Sequence, residues 1–516
     1  MPVAGSTVLA ALLQGRCAHP ATSIVFIDGD LVRETTVAEI GRLAERVAAG
    51  MRSRGIVPGD KVAVQLTNRV ECAIAYQAVL LCGAVLVPIT HVYAEKELSF
   101  IFAESDAKMI ITAARTGSTS VLERFDVYRG SEAERHVVLL DAEPGSGYAT
   151  WSEMIECPSP YTPPRVEPGD VCLLAYSSGT TSAPKGVLHS HATLLAELES
   201  LPRLLASRPE DVVLVIFPPG HVAGVTSVLR PLVVGGRSVF MHRWDPSRAV
   251  DVIQEFGVTS TAGAPVHLEG ILDAFNGTGG IAALREFLLG AATVTPDLGR
   301  RAAAAGIATF RCYGLTEQPT VTAGTATDDE VSRMCTDGVA LSGNSVRIVT
   351  PDGSPAATGE DGEVQVRGPD QFIGYQDPEL DASAFTDDGW FRTGDVGRLD
   401  ASGRLTIVGR LKDVVIRGGE TISSAQVEEV LLRHPAVTGG AVTGAPHRRF
   451  GEVVAAVVTL RPGAELNLAE LRAYFESSGL ARPKWPEQLV ITEELPRTAL
   501  GKVKKADLRR AHFRSR

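Results

Sequence analysis

The sequence predicts a layered α/β fold in a large N-terminal region, closed by a small α+β C-terminal domain, and three observations support this. Strand-like apolar runs alternate with helix-length amphipathic segments over most of the chain, the order that builds parallel layers. After "EDGEVQVRG" the texture changes to short apolar runs separated by Gly and Asp, which reads as hairpins and turns. From Arg410 onward there are eighteen Lys and Arg against twelve Asp and Glu, net +6, so the residues before it carry −17 of the total −11.

Taken in order, "DKVAVQL", "GAVLVPI", "MIITA", "HVVLLD", "VCLLAYSS" and "DVVLVIFPP" read as strands, and "AEIGRLAERVAAGMRSRG" and "AVDVIQEFG" as helices. The apolar stretch "AIAYQAVLLCGAVLVPIT" from Ala73 contains Gln77, Gly83 and Pro88, so it reads as a buried helix running into a core strand, not a membrane span. "GWFRTGDVGRLDASGRLTIVGRLKDVVIRGGETI" reads as successive hairpins. In "SSAQVEEVLLRHPAV", Ser423 and Gln426 have capping-box spacing, and Val427, Val430 and Leu431 share one helical face. Two domains are expected, 1–411 and 412–516.

A chain of 516 residues with 44% hydrophobic and 22% charged residues has the composition of a multidomain globular enzyme. A net charge of −11 argues against nucleic acid as a partner. No positively charged leading segment or terminal address is evident, so the cytosol is the expected compartment, and a homodimer is left open. Seven scattered cysteines without a C-x-x-C pair argue against a disulfide scaffold and against structural zinc, and most read as small buried hydrophobes.

The chemistry concentrates first in "YSSGTTSAPKGV", Tyr176 to Val187. An apolar strand ends near Ser177 and a helical pattern begins at "HATLLAELESLPRLL", so Ser178 to Gly186 is expected to be a loop between strand and helix. Its main-chain amides, the hydroxyls of Ser177, Ser178, Thr180 and Thr181, the flexibility of Gly179 and the charge of Lys185 suit a phosphate. It is not the ordinary P-loop, because Lys185 follows Pro184 and precedes Gly186. On composition alone such a run is more often a solvated loop.

Four further stretches stand in a fixed order: "YGLTEQP" from Tyr313, "FRTGD" ending at Asp395, "GRLKD" from Gly409 and "PRTALGK" ending at Lys502. With the Ser/Thr/Gly loop they resemble the motifs of the adenylate-forming superfamily, of the acyl- and aryl-CoA synthetase type, across nearly the whole chain. The resemblance implies that the loop holds the β- and γ-phosphates of ATP. It implies that Tyr313, beside Gly314, stacks on adenine, with Gly290, Ala291 and Ala292 passing along the base and the acyl site. Thr316 would touch the α-phosphate, Glu317 and Thr181 would hold Mg²⁺, and Asp395 and Arg410 would bind the ribose. Each has a plainer alternative: a core aromatic for Tyr313, a solvated carboxylate for Glu317, a turn cap for Asp395.

A carboxylate is a poor acyl donor, so its oxygen must first attack the α-phosphorus of ATP, giving an acyl-adenylate and pyrophosphate. The resemblance makes Lys502 the catalytic cation of that step. The resemblance further implies that a thiol, that of CoA, then takes the acyl group after the C-terminal domain, a mobile lid, swings about Lys412 and brings Arg417, Gly418 and Gly419 to a pantetheine tunnel. Arg448 and Arg449 are further candidates for the CoA phosphates. His221, Val222, Gly224 and Gly263 are expected at the acyl pocket. Val222 stands where amino-acid-activating relatives carry an aspartate, and the small residues leave room for a bulky apolar acid: fatty, aryl, alicyclic or sterol-derived. Helix-on-strand packing would favour the same small residues. Two rival readings are an enzyme loading a carrier protein and a non-catalytic nucleotide-binding protein of the same fold.

Overall fold

Runs that are apolar without alternation become strands covered on both faces. Lys61–Gln65 lies between Val85–Pro88 and Met109–Thr112 and runs parallel to both, and all four residues of each neighbour are buried. The helix Val70–Leu81 is buried at every position except Glu71, as an all-apolar helix in a large core should be. The sequence expectation of a buried helix entering a core strand describes this segment. The computed structural model describes residues 6–93, 95–116, 119–120, 136–142, 148–177, 184–200, 204–205, 208–275, 281, 283–290, 296–417, 420–478, 480, 482–498 and 501–513. Among the described residues no helix is long and apolar enough to cross a membrane.

Two large sheets form the N-terminal region. One runs, in spatial order, Gly374–Tyr375, Gly186–Ser190, Val171–Tyr176, Val85–Pro88, Lys61–Gln65, Met109–Thr112, His136–Leu139, Ala149–Thr150. The other runs Val339–Ala340, Gln318–Ala323, Ala308–Leu315, Glu286–Leu289, Ser260–Gly263, Val212–Val215, Arg237–Met241, Ser23–Asp28, Leu31–Thr36. One core cluster of buried side chains takes residues from both sheets, including Val64, Leu173, Val213 and Phe240, and from the helices Val8–Ala18, Val37–Ser53 and Val222–Val234. A four-stranded antiparallel sheet follows, Ser345–Val349, Gly362–Arg367, Phe391–Leu399, Leu405–Arg410. The last sheet is separate from these: Glu420–Ser423, Val414–Arg417, Gly451–Leu460 and Val437–His447, with Gln488–Ile491 parallel to Gly451–Leu460. The chain is thus a large N-terminal α/β domain followed by a smaller C-terminal α+β domain.

Three expectations need correction. The segment after Lys185 does not lead directly into a helix: Gly186–Ser190 is a strand antiparallel to Val171–Tyr176, and the helix begins only at His191. Ser177 N–H donates to the Lys185 carbonyl at 3.0 Å at the end of this strand pair, and the helix begins one strand later than Lys185. Ser423 does cap the helix Ser424–Leu431, but Gln426 does not complete the box, because its side-chain oxygen accepts from the Lys484 ammonium at 2.7 Å, a stronger donor than a neutral amide. Finally, only Cys72, Cys82 and Cys172 of the seven cysteines are buried. Cys17 and Cys335 are exposed at the last turns of the helices Val8–Ala18 and Glu330–Cys335.

The hairpin Ala308–Leu315 and Gln318–Ala323 turns on two residues, Thr316 and Glu317, and its register shifts between Tyr313 and Leu315. Gly314 occupies that irregularity, where an added Cβ would stand 1.9 Å from the Pro319 carbonyl oxygen. Backbone cannot yield as a side chain can, so Gly314→Ala is expected to cost roughly 1–3 kcal/mol or more. A thermal unfolding midpoint equal to that of the unaltered chain would show that the hairpin tolerates the displacement.

Candidate active site

Tyr313 is buried on the strand Ala308–Leu315, and its hydroxyl donates to Asp395 Oδ2 at 2.6 Å. Asp395 is buried on Phe391–Leu399, in a different sheet, directly across from Arg410 on the neighbouring strand. Arg410 Nε meets the other carboxylate oxygen at 2.8 Å. Asp395 is thus a fixed acceptor with a partner on each oxygen, and lone pairs remain on both for a further donor. Burial and the Asp395 carboxylate push the Tyr313 phenol far up, while Asp395 raises the pKa of the Arg410 guanidinium. The turn-cap alternative for Asp395 does not hold, because the residue lies within a strand.

Thr316 and Glu317 make the hairpin turn at the same end of the strand. The Thr316 carbonyl accepts from His189 Nε2 at 2.8 Å; burial lowers the pKa of that imidazole to about 4, so it is neutral. The Glu317 carbonyl accepts from Phe372 N–H at 2.7 Å, and its carboxylate accepts from the Tyr375 hydroxyl at 2.8 Å. Glu317 is buried, which raises its pKa against the opposing pull of Tyr375 and Lys185. It is not a solvated surface carboxylate. Lys185 Nζ lies 4.7 Å above the centre of the Tyr375 ring. Nothing in the sequence reading picked out Tyr375 or His189. The signal for Tyr375 was the "GYQD" that follows "VRGP" at a sheet edge.

Lys502, from the C-terminal domain, is half-buried against this cluster. Burial and then the Arg410 charge lower its ammonium pKa, and Asp395 opposes them. Lys502 in turn depresses His221, whose pKa falls to about 4, chiefly through burial and then through Lys502 and His91. The backbone around Lys502 is tied by Thr498: its N–H donates to the Lys502 carbonyl at 2.7 Å, and its hydroxyl accepts from Lys502 N–H at 3.2 Å.

Tyr313, Glu317, Tyr375, Lys185, Asp395, Arg410, His221 and Lys502 line one cavity of about 1230 Å³, together with Ser177, Val222, Gly290, Gly314 and Thr316. Gly224 and Gly263 do not line it. A Cβ on Gly224 would stand 2.0 Å from the Pro218 carbonyl oxygen, and one on Gly263 would press on Ile216, His267 and Phe287 at 3.0–3.1 Å. Of Gly224, Gly263 and Gly290, the three described residues among the small ones expected at the acyl pocket, Gly290 alone borders the cavity, so the packing alternative accounts for the other two. Arg417 lies away from it, paired with Glu487 at 2.7 Å and stacked 4.1 Å from the Phe450 ring centre. Arg449 also stacks on Phe450, at 5.3 Å. Lys412 falls in the short 3-10 turn Leu411–Asp413 between the last two sheets. Ser178, Gly179, Thr180, Thr181, Ala291, Ala292, Gly418 and Gly419 lie outside the described residues.

The cavity also has polar walls that the sequence reading missed. Glu197 and Arg230, on the helices His191–Ser200 and Val222–Val234, both border it and are 1% and 9% exposed. Glu197 accepts from the Thr320 hydroxyl at 2.7 Å. Burial and then Asp370 raise its pKa to about 8, so it is largely protonated at neutral pH. Their signal was a charged residue on the apolar face of an amphipathic helix.

The AMP-binding enzyme family model matches residues 13–376, and the AMP-binding enzyme C-terminal domain matches residues 426–502. The chain is 32% identical to a medium-chain fatty-acid–CoA ligase of Escherichia coli over 92% of its own length and 85% of that protein. It is also 32% identical to a salicyl-AMP ligase / salicyl-S-ArCP synthetase of Mycobacterium tuberculosis, covering 91% and 84% respectively. The crystal structure of ATP-bound MatB from Rhodopseudomonas palustris superposes with a TM-score of 0.88 at 27% identity, over 98% of this chain and 99% of that one.

The protonated Glu197 has a measurable consequence. Its folded pKa of about 8 lies above the unfolded carboxylate value, so between the two the folded state holds one more proton and stability falls as pH rises. Glu197→Gln keeps an acceptor for Thr320 and removes the titration. The variant is expected to match the native chain near pH 5 and to exceed it in thermal midpoint at pH 8 and above. Parallel midpoint curves from pH 5 to pH 9 would show that Glu197 is already ionised.

Proposed function

The chain belongs to the AMP-binding enzyme family, and from that premise we propose that it activates a carboxylic acid with ATP and passes the acyl group to the thiol of CoA. It is an AMP-forming acid–thiol ligase of the acyl-CoA synthetase type. The observation that best supports the order of events is that Lys502, carried by the C-terminal domain, borders the same cavity as Tyr313, Glu317, Asp395 and Arg410.

In this reading ATP lies along the strand ends. Tyr313 and Gly290 flank the adenine, and Asp395, already oriented by Tyr313 and Arg410, accepts from the ribose hydroxyls with its remaining lone pairs. Thr316 contacts the α-phosphate. Mg²⁺ would arrive with the phosphates and needs few protein carboxylates. Glu317 fits that need with one buried carboxylate whose orientation Tyr375 fixes. Lys185 supplies charge for the outer phosphates, together with Ser177 and the residues up to Thr181.

The acid's carboxylate oxygen attacks the α-phosphorus, a P–O bond forms, and the bond to the pyrophosphate oxygen breaks. The need is for charge stabilisation more than for a base. Lys502 meets it: its ammonium is disfavoured by burial and by Arg410, so an anionic partner relieves it most. His221, neutral at its pKa of about 4, can turn beside the acyl group without adding charge. The CoA sulfur then attacks the acyl carbon and AMP leaves.

Lys502 stands in the way of that second step, and we assign the exchange to a rotation of residues 412–516 about Lys412. The four-stranded sheet ends at Arg410 and the last sheet begins at Val414, so only a short turn links the two. In the present arrangement Arg417 is engaged by Glu487 and Phe450; the rotation would carry it, with Gly418 and Gly419, to the thiol's path. The acid's body lies against Val222, Val215 and Leu288 on the cavity wall, which suits an apolar skeleton. The salicyl-AMP relative, whose name includes a carrier-protein product, keeps carrier loading as a second reading. Mass analysis of the thioester made with CoA or with a carrier separates the two.

Lys502→Ala is expected to lower adenylate formation by about 10²-fold or more while sparing thioester formation from a supplied acyl-adenylate. Equal losses in both half-reactions would remove Lys502 from this role. Lys412→Pro, with φ held near about −65°, is expected to keep ATP–pyrophosphate exchange and lose thioester synthesis. If the thermal midpoint is unchanged and both activities fall together, domain rotation about Lys412 is refuted.

A further inference from the structure

The helix Val222–Val234 begins at His221, the electrostatic neighbour of Lys502, and runs away from it along the cavity. Ala223, Thr226, Ser227 and Arg230 all border the cavity, and their spacing of three, four and seven residues puts them on one helical face. The row ends in a cation. Arg230 is 9% exposed, one of its terminal nitrogens donates to the Leu205 carbonyl at 3.2 Å, and its Nε has no partner. A guanidinium with five donors held this deep in protein is costly unless an acceptor meets it.

No carboxylate among the described residues forms an ion pair with it. Asp211, which opposes the lowering of the Arg230 pKa by burial, is committed to Arg285 at 2.5 Å, to the Thr259 hydroxyl at 3.0 Å and to the Arg208 N–H at 2.9 Å. Two further buried acids border the cavity: Glu197 is bonded to Thr320 and largely protonated at neutral pH, and Asp337 is paired with Arg311 at 2.7 Å and accepts from the Ile407 N–H at 2.8 Å. These acids are engaged elsewhere, while Arg230 keeps a donor without an acceptor.

We propose that the acid activated here carries a second anionic group at its far end, and that Arg230 receives it. This rests on the reading of the cavity as the acyl site of a CoA ligase. Arg230 is nine residues beyond His221, about 13 Å of helix rise. A helical side chain leans back toward the N-terminus, so the gap to be spanned is shorter, and α,ω-dicarboxylates of about six to ten carbons fill it. The apolar wall holds their methylene chain, one carboxylate reacts beside Lys502, and the other pairs with Arg230. A purely apolar acid of the same length would leave the guanidinium desolvated and unmatched, the condition under which a polar site rejects an analogue.

The test compares α,ω-dicarboxylates with the monocarboxylates of equal length, on the full chain, by calorimetric binding and by mass analysis of the thioester. The dicarboxylates are expected to bind more tightly and to react with at least about 10²-fold higher kcat/KM. Arg230→Met should lose that preference and gain on the monocarboxylates, and Arg230→Lys should keep part of it. A native chain that binds the monocarboxylates as well or better overturns the proposal without need of any variant. So does an Arg230→Met protein of unchanged thermal midpoint that weakens both series equally, since a merely structural arginine would act in that way. Binding that follows Arg230 with no thioester from any acid supports the Arg230 assignment and refutes the ligase reading instead.

Discussion

The site depends on one buried carboxylate shared between two sheets. Asp395 accepts from Tyr313, which belongs to the nine-stranded sheet, and from Arg410, its cross-strand neighbour in the four-stranded sheet. Leaving a buried carboxylate unpaired would cost far more than either bond contributes, so this link fixes how the hairpin sheet sits against the main body. Because Arg410 ends the last strand before the short turn at Lys412, the same link anchors the point from which the C-terminal domain departs.

From that anchor the neighbouring groups follow. The turn Thr316–Glu317 is held from three sides, by His189, Phe372 and Tyr375, and these partners come from different segments of the chain. A two-residue turn tied in this way has little freedom, which suits a carboxylate that must point in one direction. Lys185 sits on the outer side of the same tyrosine. The cations Lys185, Arg410 and Lys502 converge on one cavity, although the chain as a whole carries a net charge of −11. Local arrangement, and not overall charge, sets the field inside the cavity.

The cavity is divided in character. Near Lys502 it is cationic with paired acids, along the middle it is walled by apolar side chains, and toward Arg230 and Glu197 it is polar again. That inner polar end is costly for the protein to maintain, since burial disfavours both charged forms. Groups kept at such a cost are more readily understood as serving a ligand than as serving the fold, where apolar residues of the same volume would pack at no such penalty.

Much of this was legible in the sequence. The parallel strands, the buried helix Val70–Leu81, the hairpins after residue 362 and the separate C-terminal sheet all follow from periodicity and turn residues, because those signals act locally along the chain. The residues around Tyr313, Glu317, Asp395, Arg410 and Lys502 could be named because their motifs are contiguous. What the sequence could not decide depends on contacts between distant segments. Gly224 serves backbone packing while Gly290 borders the cavity, a difference set by which atoms lie across from each Cα and not by residue type. The strand Gly186–Ser190, which the reading of a loop from Ser178 to Gly186 leading to a helix did not include, forms because its pairing partners, Val171–Tyr176 and Gly374–Tyr375, are supplied by the sheet. The order of residues along the chain by itself determined that strands and helices would alternate in layers and that the motifs resembling those of adenylate-forming enzymes would be present. Only the tertiary structure decided that Arg230 and Glu197 share the cavity, because burial and the want of a partner are properties of the assembled interior.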